Sequence, residues 1–343
     1  MKIISAIILL LFIVFLSSCF KEDEKIPPHD PGDVSLDSVK VAQDGLYYFQ
    51  VYYDLSSKAV VSTNLKDDWD LGFECTEAGT KIKPNTSTFM VAAKTGLTDF
   101  NAPIDTTGYT WVYDASSGNP DSTAFGDWVA YTDPDSTKEY SNEIYVIDRG
   151  ISATGIYRGY KKIVFQEVTD STFTFRFANL DGSDEYYFTV TKDPTVNYIC
   201  FSFENGGEQL NLEPPKEDWD LLFTQYTTLL YTDEGDPYPY LLTGALSNPT
   251  ALTVAQDTLY DFENLSLEIA ESFVYSTVLD EIGYDWKDVT GDVTSGSVTY
   301  VIVEGLYYVV RDIDGYSYKL RFVSFYNLDN GEKGYPTFEF QRL

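Results

Sequence analysis

The sequence predicts an all-β protein, mainly antiparallel sheets with a few short helices, built as two related β-rich units in tandem. Three observations carry that expectation. Aromatic residues make up 16% of the chain, with 28 Tyr and 22 Phe, and Tyr, Phe, Val and Thr suit half-buried pleated surfaces. Apolar residues alternate with polar ones in short runs such as Thr337-Phe338-Glu339-Phe340-Gln341, the period of a strand with one face in a core. And Asp-Trp-Asp-Leu-x-Phe occurs twice, as Asp68–Phe73 and as Asp218–Phe223, which points to a repeated structural unit.

In an extended strand the motif puts Trp69, Leu71 and Phe73 on one face and Asp68, Asp70 and Gly72 on the other. The first face is expected to be core. The second is wet, or hydrogen-bonds a neighbouring loop. Matched stretches surround both copies in the same order. Tyr47–Asp54 answers Tyr198–Glu204, and Gly108-Tyr109-Thr110-Trp111 answers Gly283-Tyr284-Asp285-Trp286. Tyr160–Phe165 answers Tyr316–Phe322, and Phe177–Gly182 answers Phe325–Gly331. The units are read as residues 37–195 and 196–343, with insertions in the loops, where added length costs little. A length of 343 residues suits two domains, and 43% hydrophobic residues suffice for their cores. The net charge of −31 excludes nucleic acid, whose phosphates it repels. It also disfavours adhesion to an anionic membrane through a basic patch.

Residues 1–18 read as a signal peptide: Lys2 opens it, Ile3–Leu16 is an apolar run of secretory length, and Ser17-Ser18 lead to Cys19. Small residues before a Cys resemble the lipobox of bacterial lipoproteins, which implies a lipid on Cys19 and an anchor in the bilayer. The acidic stretch Glu22-Asp23-Glu24 that follows resembles the surface-export signal of Bacteroidetes lipoproteins and implies an outer-membrane protein facing the cell exterior. Residues 19–36 form a tether, kept extended by Pro27, Pro28 and Pro31. The only His of the chain, His29, lies there and reads as solvated.

In unit one, strands are expected at about 45–53, 58–63 and 69–75, with Val60, Val61 and Thr63 pairing with the Trp69 strand. Thr88–Ala93 fits strand or helix, and 114–143, rich in Ser, Asp, Gly and Pro, reads as a long loop. Runs at 143–149, 157–168 and 171–178 read as a meander, and 185–191 adds a strand. Unit two repeats this with an insertion at 226–265. Residues 264–274 fit a strand or a short helix. Asp312-Ile313-Asp314-Gly315 joins two β-branched and aromatic runs as a hairpin turn. It lacks the terminal Glu and alternating oxygens of a calcium loop. Lys319 and Arg321, alternating with Tyr318, Leu320 and Phe322, read as the solvated face of a strand.

Trp219–Phe223, Gly283–Trp286, Tyr308–Phe322 and Gly331–Phe340, taken together, resemble the HmuY-like family. Those are lipid-anchored surface proteins of Bacteroidetes known for capturing heme. The resemblance covers most of unit two and is weaker over unit one, through Trp69–Phe73, Gly108–Trp111, Tyr160–Phe165 and Asn179–Gly182. It implies a mainly antiparallel β fold, and the tandem arrangement departs from the single-unit pattern. It also implies heme or a related tetrapyrrole as ligand, passed to an outer-membrane transporter.

Family members ligate heme iron with paired His or with Met. Here a bis-His site is impossible, and Met90 is the one thioether of the mature body. Met90 with a Tyr, or an apolar groove without axial ligation, remains open, and Met90 as core filler is the other reading. Cys75 and Cys200 lie at related ends of the two units; an oxidising compartment permits a disulfide, and two buried thiols fit equally. No metal site is expected, since zinc needs further ligands. Without a usable His the common acyl-transfer arrangements are absent, so the chain is read as non-enzymatic. Two classes of function stay open: capture of heme or a related ligand, and recognition of a glycan or protein through Tyr231, Tyr238 and Tyr240 of the insertion.

Overall fold

The computed structural model describes residues 31–343 apart from 127, 133–136 and 293–296. The stretch read as a signal peptide, Cys19 and His29 lie outside the described residues. In chain order the strands are β1 (Ser35–Ser38), β2 (Ala42–Gln43), β3 (Leu46–Tyr47), β4 (Phe49–Asp54), β5 (Ala59–Leu65), β6 (Leu71–Glu74), β7 (Ile82–Pro84) and β8 (Val91–Lys94). Then come β9 (Val129–Thr132), β10 (Thr137–Tyr140), β11 (Tyr145–Asp148), β12 (Tyr160–Val168), β13 (Thr172–Ala178), β14 (Tyr186–Thr191), β15 (Tyr198–Ser202) and β16 (Glu208–Leu210). The last are β17 (Leu221–Tyr231), β18 (Pro237–Ser247), β19 (Thr253–Asp257), β20 (Lys287–Asp292), β21 (Ser297–Ile302), β22 (Tyr307–Arg311), β23 (Ser317–Tyr326) and β24 (Lys333–Arg342). One short helix, α1 (Leu267–Glu271), stands among them. The strand pairs are antiparallel, so the protein is all-β as the sequence predicts.

Four larger sheets make two lobes within Gly32–Leu343. In the first lobe, the sheet β14-β13-β12-β11-β8 covers the sheet β16-β15-β6-β7. Between them Phe73 stacks on Phe175 at 5.1 Å, and Phe201 meets Phe175 edge-on at 5.0 Å. In the second lobe, the sheet β1-β24-β23-β22-β19 covers β18-β17-β4-β5. There Trp286 stacks on Phe322 at 3.9 Å and Phe223 on Phe338 at 5.2 Å. These alternating aromatic positions bury the large areas that hold each pair of sheets together.

The lobes do not follow the chain in simple sequence. The strand upstream of each motif copy pairs with the other copy: β15 lies on β6, and β4 lies on β17. The second lobe is thus completed by the first strands of the chain, and β1 closes its edge on β24 with Ser35 opposite Phe340. A division at residue 195 does not separate the lobes, because each takes strands from both sides of it.

The motif Asp residues lock this exchange. Asp70 is fully buried; its N–H donates to Phe201 O at 2.7 Å, and its carboxylate accepts Phe203 N–H at 2.8 Å. Asp220 repeats both bonds, to Tyr53 O at 2.9 Å and from Leu55 N–H at 2.8 Å. Asp70 and Asp220 are therefore buried and hydrogen-bonded to the partner strand, whereas Asp68 and Asp218, at the start of each motif, are exposed. A second pair of side chains echoes the repeat. Asn85 Nδ2 donates to Lys66 O and Trp69 O, and Asn248 Nδ2 to Lys216 O and Trp219 O. Only Asp70 also takes two guanidiniums, Arg149 at 2.9 Å and Arg158 at 3.1 Å. Burial instead pushes the Asp220 carboxyl up to about 7, with Asp54 and Asp312 adding to the shift against the Leu55 N–H.

Several local expectations change. Val60, Val61 and Thr63 lie in β5, which pairs with β4 and not with the Trp69 strand. The stretch 114–143 contains the hairpin β9–β10. The insertion after Phe223 is a long hairpin, β17 and β18, of 11 residues each. Residues 264–274 contain α1, whose first turn is capped by Ser266. Thr88–Ala93 splits into the end of a 3-10 turn and β8. Lys319 is not solvated. It is buried, with Nζ donating to Phe262 O at 2.8 Å over the Phe262 ring, because the β23 face it occupies is covered by the segment leading to α1. Arg321 pairs with Glu339 and Glu263. The Asp312–Gly315 turn forms as expected, with Gly315 at φ 83°.

Asp70→Ala leaves two guanidiniums facing a void and is expected to cost about 3–5 kcal/mol of stability. Asp220→Ala removes a neutral-side cap and is expected to cost less, about 1–3 kcal/mol. Urea denaturation of both variants checks this, and an equal loss would contradict the distinction drawn here.

Candidate functional site

Trp69 and Trp219 each stand just before their strand. The sequence places them with Leu and Phe on the core side, but neither joins its lobe's core. Both turn instead into a cleft between the lobes with a cavity of about 130 Å³, below the usual range for small-molecule sites. The second lobe supplies Gln50 and Tyr52 from β4, and Leu222, Thr224 and Tyr226 from β17. The first supplies Lys83 from β7, Tyr198 from β15, and the loop 114–123. That loop crosses to the second lobe, where Ser116 Oγ meets Thr228 Oγ1 at 2.8 Å and Leu279 N–H donates to Ser117 O at 3.1 Å. On its other side Trp111, Leu229 and Tyr231 line a shallower hollow.

The two tryptophans are not equivalent in their bonding. Trp69 Nε1 donates to Gln50 Oε1 at 2.8 Å, and Gln50 Nε2 donates on to Ser87 Oγ and Thr224 Oγ1. Trp219 is 4% exposed, packs edge-on against Tyr52 at 4.9 Å, and its Nε1 has no partner. Tyr226 OH and Ser247 Oγ, on residues lining the same cleft, are also buried and unpartnered. Unpaired buried polar atoms are costly, so their concentration in one place calls for a cause.

Charge in the cleft is balanced. Lys83 Nζ sits 3.8 Å over the Tyr198 ring and 5.8 Å from that of Trp69. Burial pushes the Asp114 carboxyl up to about 6, against the Ala124 N–H it accepts at 2.6 Å and the nearby Lys83. Burial also raises Glu213, against Lys83 and the N–H groups of Asn197 and Tyr198 that it accepts. Burial raises the phenols of Tyr52, Tyr198 and Tyr226, with carboxylates adding to each shift.

The site residues expected from sequence lie elsewhere. Met90 is 0% exposed in the first core and does not line the cleft. Tyr238 and Tyr240 share one face of β18, with ring centroids 6.3 Å apart. Tyr231 is 66% exposed and opposes Pro237, so the pleat puts it on the other face, and the three rings do not form one platform. Cys75 and Cys200 are free thiols. Cys75 points into the first core with Phe73, whereas Cys200 alternates with the core residues Ile199 and Phe201 and faces the opposite side of the sheet, which rules out a bridge. Among the described residues no group of three or more His, Cys, Asp or Glu is placed to hold a metal ion. Sequence reasoning missed Trp219, Tyr226, Lys83 and Asp114. The repeated Trp was the available signal, and it was assigned to packing.

A family model described as HmuY protein matches residues 47–340. No curated protein matches the chain. Among solved structures, apo PinO from Porphyromonas gingivitis is similar at 10% identity, covering 91% of this chain and 97% of that one, with a TM-score of 0.27. The apo HmuY analog TFO of Tannerella forsythia is similar at 10% identity, covering 92% and 98%, with a TM-score of 0.24. A Bacteroides vulgatus protein described as a candidate HmuY-like heme binding protein is 18% identical over 52% of this chain and 90% of that one, with a TM-score of 0.18.

The raised Asp114 carboxyl makes a pH prediction. The folded protein holds this proton more tightly than the unfolded chain, so the group's contribution to stability is complete below about pH 4 and is lost as pH rises through about 6. Asp114→Asn removes that loss. Urea denaturation from pH 4 to pH 7 should therefore show the variant gaining on the wild type as pH rises, and a constant difference would contradict the shift.

Proposed function

Because the chain belongs to the HmuY family, whose proteins are binding proteins rather than enzymes, we propose that it is a non-catalytic surface lipoprotein that captures a small organic ligand in the interlobe cleft. It is anchored in the outer membrane through a lipid on Cys19, faces the cell exterior, and hands its ligand to an outer-membrane transporter. The observation that carries this reading is the unpartnered trio Trp219 Nε1, Tyr226 OH and Ser247 Oγ on residues lining one cleft. These atoms are closed to solvent, so a ligand supplies their missing partners only by displacing the side chains that cover them.

Heme is the ligand that the family resemblance implies. The cavity of about 130 Å³ is small for a porphyrin, and both indoles are buried, so neither offers a face for stacking. The donor set does not suit its iron. Heme iron takes His, Met, Cys or Tyr, and the cleft lining contains none of the first three. Its tyrosines are held protonated by burial and by neighbouring carboxylates, Glu213 among those beside Tyr52 and Tyr198, whereas iron takes the phenolate. Met90 is sealed in the core. These residues do not fit an axially ligated heme.

Titration of the mature protein with hemin tests this. The expected result is no Soret shift of the kind that axial His or Met ligation produces, and the same spectrum in Met90→Leu, a swap the core tolerates. A stoichiometric shift lost in Met90→Leu would overturn the reading. For the anchor, Cys19→Ala is expected to move the protein from the membrane to the soluble fraction on cell fractionation.

A further inference from the structure

The long hairpin leaves one of its edges open. Strand β17 runs from Leu221 to Tyr231, but its pairing with β4 covers only Leu221–Phe223. Beyond Phe223 it pairs on one side, with β18. The prolines of β18 fix which backbone groups face the other way. Pro237 and Pro239 lie opposite Tyr231 and Leu229 and have no N–H to give. Opposed residues of an antiparallel pair exchange both bonds or neither, in alternation. These two pairs exchange none, so the N–H and C=O of Leu229 and Tyr231 point out along the free edge. The same alternation holds at Phe223 opposite Ala245, where Ala245 turns its N–H and C=O outward to Gly283. Among the described residues no backbone bond meets Leu229 or Tyr231 at that edge. Their side chains are 49% and 66% exposed. An open edge of this kind is a template for another strand.

A hollow of about 630 Å³ lies between this edge and the segment 111–123, within the range of ligand sites. The segment supplies Trp111, Tyr113, Asp114 and Asp121. Among the described residues no lysine, arginine or histidine lines the hollow, and Asp121 is exposed and in no ion pair. The turn just past Tyr231 adds Asp233, Glu234 and Asp236, all exposed. Three demands therefore meet in one place. Outward N–H and C=O groups pair with a main chain, carboxylates attract a cation, and aromatic rings take an alkyl stem or a guanidinium. An extended polypeptide with basic side chains answers all three.

We propose that the free edge of β17 takes up an extended, basic segment of a partner protein as an added strand, with main-chain bonds to Leu229 and Tyr231 and basic side chains directed to Asp121 and the acidic turn. The site is separate from the interlobe cleft and does not depend on what the cleft binds. The mature protein, labelled with nitrogen-15, is titrated with capped heptapeptides in which Lys alternates with Val or Tyr, and with the same sequences carrying Gln or Glu for Lys. The Lys peptides are expected to move the backbone signals of Thr227–Tyr231 and to bind at least about tenfold more tightly than the Gln set, with no binding of the Glu set. N-methylation of every second residue is expected to abolish Lys-peptide binding in one phase and spare it in the other, because only one edge of the added strand faces β17. Asp121→Asn and Tyr231→Ala, at exposed positions, are each expected to weaken binding about threefold, and Tyr238→Ala, on the other face of the hairpin, to leave it unchanged. Absence of binding by every Lys peptide, or backbone shifts that spare Thr227–Tyr231, would overturn the proposal. Binding that both N-methylated phases retain would be attraction to the net charge of −31 alone and would overturn the strand pairing. Equal binding of the Gln set would overturn the basic partner.

Discussion

Everything in this structure depends on a buried aspartate used twice. Asp70 and Asp220 each donate a backbone N–H to the strand beside them and accept another N–H from it through the carboxylate. The strand so held comes from the other half of the chain in each case. A carboxylate with no solvent around it must find such donors, because leaving it unpaired costs more than the packing around it returns. The motif therefore fixes which strand lies where and ties the N-terminal strands into the second lobe. The two copies then satisfy their carboxylates differently, Asp70 with two arginines and Asp220 by a raised affinity for a proton.

The exchange also creates the cleft. Since β4 and β15 run beside the motif strands, Gln50, Tyr52 and Tyr198 face the same space as the two tryptophans. The backbone that leads into each buried Asp is pinned by Asn85 or Asn248 at the Trp carbonyl. That leaves the indoles pointed away from the cores. A repeated backbone arrangement with different side chains on it leaves one indole N–H bonded within the protein and the other buried and unpartnered. Structural economy explains Trp69; it does not explain Trp219.

Much of the fold was legible in the sequence. Alternating aromatics located β12, β13, β14, β23 and β24, and the Asp-Gly pair located the turn before β23. Matching Tyr47–Asp54 to Tyr198–Glu204 correctly joined β4 with β15 as counterparts, but period and composition carry no information on which copy a strand pairs with. Lys319 illustrates a second limit. Its alternation with apolar residues suggests a wet face, and only the covering segment before α1, distant in sequence, buries it. For the site, aromatic content drew attention to Tyr231, Tyr238 and Tyr240, which the long hairpin separates across its two faces. Trp219 was hidden because a tryptophan beside Leu and Phe at strand spacing looks like core, and its orphaned N–H is visible only once both lobes are in place.

The central claim is the proposal that the interlobe cleft is the ligand site and that its occupation is felt at Trp219, whose N–H is unpartnered, more than at Trp69. The most direct measurement is the two-dimensional spectrum of the indole N–H groups of the 5 tryptophans in the mature protein, with the Trp219 signal assigned by its loss in Trp219→Phe. Spectra are recorded alone, with hemin, and with oligosaccharides. The account predicts that a ligand that binds shifts the Trp219 signal while the Trp69 signal, held by Gln50, stays in place. A bound ligand that leaves Trp219 unmoved would contradict it.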